Sequence, residues 1–152
     1  MKNLFTILMM SLVSLGFTDC SGVKTLSNGK VIDKGLVGIW TGVESDKQMK
    51  GVRKEWEMSR KKDGSYTLEF TAITPDGSIN FDENGTWWVD NGTFFEFHNE
   101  SGKTDSYNYT ILNRDNIQFK MIDSGAPFYD PNYTFIDTRK GTQQVAVTLE
   151  DK

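Results

Sequence analysis

The chain has 152 residues, a formal charge of −4 and an isoelectric point near 5.0. With one cysteine, Cys20, and one histidine, His98, counting alone excludes zinc fingers, iron–sulfur clusters, Cys/His nucleophilic pairs and a disulfide framework. Residues 21–62 carry ten Lys/Arg against five Asp/Glu, and residues 63–152 carry six against fifteen; this dipolar, acidic balance argues against nucleic acid, whose binders present a dominant basic surface.

The chain opens with a short basic start, Met1-Lys2-Asn3, and an apolar run over residues 4–17. That run is short for a membrane span and matches a signal-peptide core, so residues 1–20 are expected to direct export to the cell envelope. Cys20 follows immediately, in Thr18-Asp19-Cys20-Ser21-Gly22. Two outcomes are open: acylation of Cys20, which would anchor the protein to a membrane, or ordinary cleavage after Gly16 or Gly22. Residues 21–35, rich in Ser, Gly and Lys, are expected to form a flexible tether.

Beyond residue 35 no segment sustains a helical apolar period, and alternation by two dominates. Residues 36–43 begin the pattern. Residues 52–60 set Val52, Trp56 and Met58 opposite Arg53, Glu55 and Glu57. After the turn at Asp63-Gly64, Tyr66, Leu68, Phe70 and Ala72 alternate with polar neighbours, and Pro75-Asp76-Gly77 ends that strand. Residues 85–90 and 93–98 flank a tight Asp90-Asn91-Gly92 turn, the strongest hairpin signal in the chain. Tyr107, Tyr109 and Ile111 make the next strand, residues 117–121 follow after Asn113-Arg114-Asp115-Asn116, and residues 123–131 form a longer loop. Residues 133–140 make the eighth strand, with 145–149 as a short ninth or a tail within the C-terminal segment 141–152. Eight short strands joined by hairpin-length turns predict an all-β, antiparallel up-and-down barrel over residues 36–140. A β-sandwich is the competing architecture.

The first strand opens with Gly38-Ile39-Trp40, and Asp137-Thr138-Arg139-Lys140 lies near the other end. Between them stand Asp63-Gly64-Ser65-Tyr66, Asn84-Gly85-Thr86-Trp87-Trp88-Val89, Phe95-Glu96-Phe97, Tyr107-Asn108-Tyr109-Thr110-Ile111 and Asn116-Ile117-Gln118-Phe119. In order and spacing these motifs resemble the small lipocalin-like domains of bacterial lipoproteins, in the calycin group. The resemblance implies barrel closure by Gly38, Trp40 and Arg139, with the arginine packed across the indole. It also implies a non-catalytic protein that takes up a small ligand. The chain departs from larger members in its short barrel, in having Thr104-Asp105-Ser106-Tyr107 where they carry Thr-Asp-Tyr, and in lacking a helix before the last strand. These departures argue against a deep cavity for a large ligand.

Many aromatic residues fall on alternate positions, which leaves two readings: a filled core, or an apolar pocket with tyrosine hydroxyls as polar anchors. On the second reading Trp56, Tyr66, Phe70, Phe97, Tyr109 and Phe119 form the wall around a small apolar or amphipathic molecule. Trp88 has opposite parity to Trp87 and is expected on the outer face or rim, either as an ordinary exposed aromatic or, in the alternative function of a packed barrel without a small ligand, as part of a surface with Phe94 and the loop at 123–131 for an envelope protein partner. Lys54 and Arg60 share parity with Trp56; they sit at the barrel mouths, or one points inward and then needs a carboxylate partner. His98 is expected on the rim. Asp76, Asp82, Glu83, Asp90, Asp123 and Asp130 lack calcium-loop spacing and are expected in solvated turns. No catalytic arrangement declares itself, so neither enzymatic activity nor a cofactor is expected. Five Asn-x-Ser/Thr sites, at Asn84, Asn91, Asn99, Asn108 and Asn132, are read as incidental.

Overall fold

The structure is a computed structural model and describes residues 22–125 and 130–141. Cys20, the apolar leader and residues 145–149 lie outside the described residues.

The described residues form ten strands: β1 (Val23–Thr25), β2 (Val31–Asp33), β3 (Gly38–Ser45), β4 (Arg53–Arg60), β5 (Ser65–Thr74), β6 (Gly77–Asp90), β7 (Thr93–His98), β8 (Lys103–Asn113), β9 (Asn116–Asp123) and β10 (Thr134–Arg139). From β3 to β10 each strand pairs antiparallel with the next in sequence, and β10 pairs with β3. The result is a closed eight-stranded up-and-down barrel, as the alternation predicts. The closing seam is short, with two register pairs, Thr138↔Thr41 and Arg139↔Trp40. β6 begins eight residues before the segment read as a strand, at Gly77 rather than Gly85. Its extra length pairs with β5 from Thr74↔Gly77 onward, giving a long hairpin at the open end.

Residues 22–35 differ from the tether that their composition suggests. β1 and β2 form a hairpin, Val31 pairs with Val89 of β6, and a 3-10 turn at Lys34–Leu36 follows. Ile32 and Leu36 are fully buried and plug one end of the barrel beside Trp40 and Trp87. Two apolar anchors among polar residues are enough to dock the segment, because each fully buried aliphatic side chain contributes roughly 1.5–3 kcal/mol. Asp33 caps the turn by accepting from the Gly35 backbone N–H at 2.8 Å, and its other oxygen accepts from the Tyr109 hydroxyl at 2.8 Å.

The seam joins Arg139 to Trp40 in register, and the Arg139 guanidinium lies 4.1 Å from the indole centroid. Its Nη1 and Nη2 donate to the carbonyls of Val37 and Gly35 at 3.0 and 3.1 Å. The Trp40 Nε1–H donates to Leu36 O at 2.9 Å. Gly38 permits this approach: its φ is +142°, and a Cβ there would overlap Arg139 Nη1. Gly38→Ala is therefore expected to lower stability by about 1–3 kcal/mol, read as a fall in denaturant midpoint at unchanged slope. A wild-type midpoint would remove the seam's need for glycine.

Candidate functional site

Side chains alternate between the two faces of each strand, so pairing register decides what enters the barrel. Asn91 and Gly92 have φ of 47° and 79°, as a two-residue primed turn requires. This sets Val89 opposite Phe94 and Trp87 opposite Glu96. Phe94 and Glu96 accordingly point inward, at 1% and 6% exposed.

Two sequence expectations are corrected by that register. Phe97 does not line the interior; it shares the outer face with Thr86 and Thr104, its partners in β6 and β8. Phe94 is not part of an outer face with Trp88. Trp88 stacks instead on Phe95 at 5.2 Å, with Lys30 Nζ 3.6 Å from its ring.

Opposite the plug, the barrel opens into a cavity of about 310 Å³ bordered by Trp56, Met58, Leu68, Phe70, Met121 and Phe135. This volume lies at the small end of the range for small-molecule sites, roughly 300–1,000 Å³. Met49 and Phe81 stand exposed at its mouth, and Phe81 stacks on Phe70 at 4.8 Å. Gly42 makes room for Trp56: the two are register partners, and a Cβ at Gly42 would overlap the indole. Trp56 also meets Phe135 edge-on at 5.4 Å.

Of the six residues expected to form the wall, Trp56 and Phe70 border the cavity. Phe119 is fully buried below it, stacked on Phe135 at 5.1 Å. Tyr109 lies at the plugged end with Asp33. Tyr66 is 1% exposed and reaches the site through its hydroxyl, 3.0 Å from His98 Nδ1.

The polar part of the site is what the alternation did not reveal. Arg60 and Lys54 both point inward rather than resting at the mouths, and each has a carboxylate partner. Arg60 Nη2 meets Asp137 Oδ2 at 2.6 Å, and Lys54 Nζ meets Glu44 Oε1 at 2.9 Å. Asp137 is fully buried, and its second oxygen accepts from Trp56 Nε1–H at 2.8 Å. The Arg60 guanidinium lies between the rings of Phe94 and Phe119, at 5.0 and 4.9 Å. Its Nε and Nη1 are buried without a hydrogen-bond partner among the described residues, and Arg60 borders the cavity.

His98 is not a solvated rim residue. It forms a short ion pair with Glu83 through Nδ1, and its Nε2 lies 3.4 Å from Asp105 Oδ2. Burial alone would lower its pKa, but the bonds to Asp105 and Glu83, helped by the charge of Glu96, outweigh burial and raise it to about 10. At neutral pH His98 is therefore an imidazolium. Asp105 is also buried, which would raise it, yet His98 and the Gly125 backbone N–H hold it below the usual carboxylate range. Glu96 is pushed up to about 7 by burial, against the opposing charges of His98 and Arg60. Burial, then the charges of Glu96 and Glu83, raise the Tyr66 hydroxyl, so it stays protonated.

Glu83 lies within β6 and pairs with His98 in this cluster, not in the solvated turn that its sequence neighbourhood suggests. Among the described residues no group of three or more His, Cys, Asp or Glu is placed to hold a metal ion. The signal for Glu96 was present in the sequence, since the two-residue turn at Asn91-Gly92 gives it the parity of Trp87. No family model and no curated protein matches the chain.

Proposed function

We propose that the protein is a non-catalytic, lipocalin-like binder of a small amphipathic molecule, with the apolar chain in the open-end cavity and the polar head at Arg60. One observation carries this: an apolar cavity is bordered by Arg60, whose buried guanidinium has two nitrogens, Nε and Nη1, without a hydrogen-bond partner among the described residues. A buried unsatisfied donor is destabilising by about 1–3 kcal/mol, so a ligand acceptor there gains more than it would at the surface. In the same proposal the leader exports the chain to the cell envelope, and acylated Cys20 tethers it to a membrane; incorporation of labelled palmitate, lost in Cys20→Ser, tests that part. The alternative, an envelope interaction face on Trp88 and Phe94, has less support because Phe94 is 1% exposed.

The test is calorimetric titration with decan-1-ol, decanoate and decylamine. At least one is expected to bind with a stoichiometry of one. Phe70→Trp, which enlarges a half-buried residue of the cavity wall, is expected to weaken binding about tenfold or more while leaving the melting temperature close to wild type. Absence of saturable binding for all three probes would overturn the proposal.

A further inference from the structure

We propose that the plugged end of the barrel is a docking surface for an anionic phospholipid bilayer, so that the cavity mouth faces away from the membrane. The surface lies at the opposite end from the cavity. The inference therefore does not depend on what the cavity takes, and it stands with or without an acyl chain on Cys20.

The cations come from segments that the meander brings to one end. β1, β2 and the turn at Lys34–Leu36 lie at that end, and the β4–β5, β6–β7 and β8–β9 connections surround it. Lys24, Lys34, Lys61, Lys62 and Arg114 are exposed there, and among the described residues none of the five is held in an ion pair. The carboxylates at this end are fewer, and three of them already face a donor or a cation. Asp33 accepts from the Gly35 N–H and the Tyr109 hydroxyl, Asp63 from the Ser65 hydroxyl, and Asp115 lies 4.0 Å from Arg139 Nε. The open end has the other sign: Asp46, Asp76, Glu100, Asp123 and Asp130 stand in or beside its loops.

Aliphatic side chains stand among the cations of the plugged end. Val23, Ile111 and Leu112 are 65%, 45% and 48% exposed. They adjoin the plug: Val23 pairs with Asp33, the Lys34 N–H donates to Gly22 O at 2.9 Å, and Ile111 lies against Gly35. Exposed aliphatic groups ringed by cations match the boundary between acyl chains and anionic headgroups, where each Lys or Arg strengthens association about fivefold. A nucleic acid would use the cations and leave the aliphatic groups in water. The path of the chain agrees with a bilayer. Gly22 lies at this end, so residues 1–21, with the apolar leader and Cys20, join the barrel on the side that faces the membrane. An anionic surface attracts this end and repels the acidic rim of the cavity, so charge sets the orientation. The mouth then opens to the aqueous phase, and a ligand is exchanged there rather than drawn from the bilayer.

The experiment is sedimentation of the full chain carrying Cys20→Ser with vesicles of phosphatidylcholine, alone or with about 30% phosphatidylglycerol. The hydrophobic contribution of the leader is common to both, so their difference reads the barrel. Binding is expected to be stronger with phosphatidylglycerol and to weaken as salt rises. Lys34→Glu/Arg114→Glu is expected to lower that binding at least about tenfold. Lys50→Glu/Lys103→Glu, the same change of net charge at the open end, is expected to stay close to the parent; all four side chains are exposed, so the fold is retained. With Cys20 removed, single cysteines carry an environment-sensitive dye: on Leu112→Cys its emission is expected to shift to the blue with vesicles, and on Asp76→Cys, at the tip of the β5–β6 hairpin, to stay unchanged. Equal binding to the two vesicles overturns the inference, as does an equal loss in the two paired variants. A blue shift at position 76 without one at position 112 overturns it as well, since the cavity end would then face the lipid. Each of these results leaves the proposed binding function standing.

Discussion

Arg60→Leu is expected to lower stability by about 3–5 kcal/mol, the loss typical when one partner of a buried ion pair is removed. Asp137 is fully buried, and Arg60 is its charge partner at 2.6 Å. Trp56 Nε1–H would remain as a hydrogen-bond donor to it, but a neutral donor does not replace a cation in a region this dry. The double variant Arg60→Leu/Asp137→Asn is expected to recover most of the loss, because it removes both charges and still offers an oxygen to Trp56. Urea denaturation of the two variants and of Asp137→Asn alone completes the cycle. A single variant as stable as wild type would mean that Asp137 finds compensation elsewhere. The recovered double variant also separates folding from binding: it should be stable yet bind the amphipathic probes poorly, since the unpartnered donors leave with Arg60.

The second large effect is a fall in stability as pH rises. Glu96 has a folded pKa of about 7, above its ordinary value of 4.5. Its contribution is therefore fully present below about pH 4.5 and is lost as pH rises through 7. The shift corresponds to about 3 kcal/mol. His98, raised from 6.5 to about 10, acts in the same direction over a higher window: its stabilising pairs are complete below about pH 6.5 and are lost through 10. Asp105, held below its ordinary range, opposes at the acid end, where stability falls as its carboxyl protonates. Unfolding free energy is thus expected to decline from about pH 5 to about pH 9. Over that interval Glu96→Gln should gain about 3 kcal/mol relative to wild type, most of it by pH 8. Stability that is level or rising across this range would contradict the buried position of Glu96.

The barrel was legible because its signals are local. Strand count, antiparallel order and turn positions follow from alternation and from Asp63-Gly64, Pro75-Asp76 and Asn91-Gly92, each of which acts on its own few residues. The seam partners, Trp40 and Arg139, came from a family resemblance, and the structure sets the arginine 4.1 Å from the indole centroid. The interior was less legible. Alternation assigns residues to two faces without saying which is inside, and in Thr93–His98 aromatic residues occupy both. Phe95 and Phe97 outnumber Phe94, so hydrophobicity pointed the wrong way. The register imposed by the Asn91-Gly92 turn was the better guide, and it would have revealed Glu96 as well. Composition misled at residues 22–35 for a related reason: Ile32 and Leu36 are two residues among many polar ones, and their effect depends on a barrel end waiting to be filled.

From the sequence alone came the all-β class, the meander and the requirement that an inward Arg60 or Lys54 have a carboxylate partner. Tertiary structure decided which carboxylates those are, that both cations point inward, and where the cavity lies. Asp137 is 77 residues from Arg60 and Glu44 is 10 from Lys54, so closing the barrel is what brings the first pair together. Glu83, Glu96, His98 and Asp105 are gathered instead by the pairing of three consecutive strands, β6, β7 and β8, in which Glu96 and Asp105 are register partners. Periodicity is a property of one strand, whereas a binding site is made by side chains that meet across the barrel, and burial gives their charges strength only after the sheet has closed.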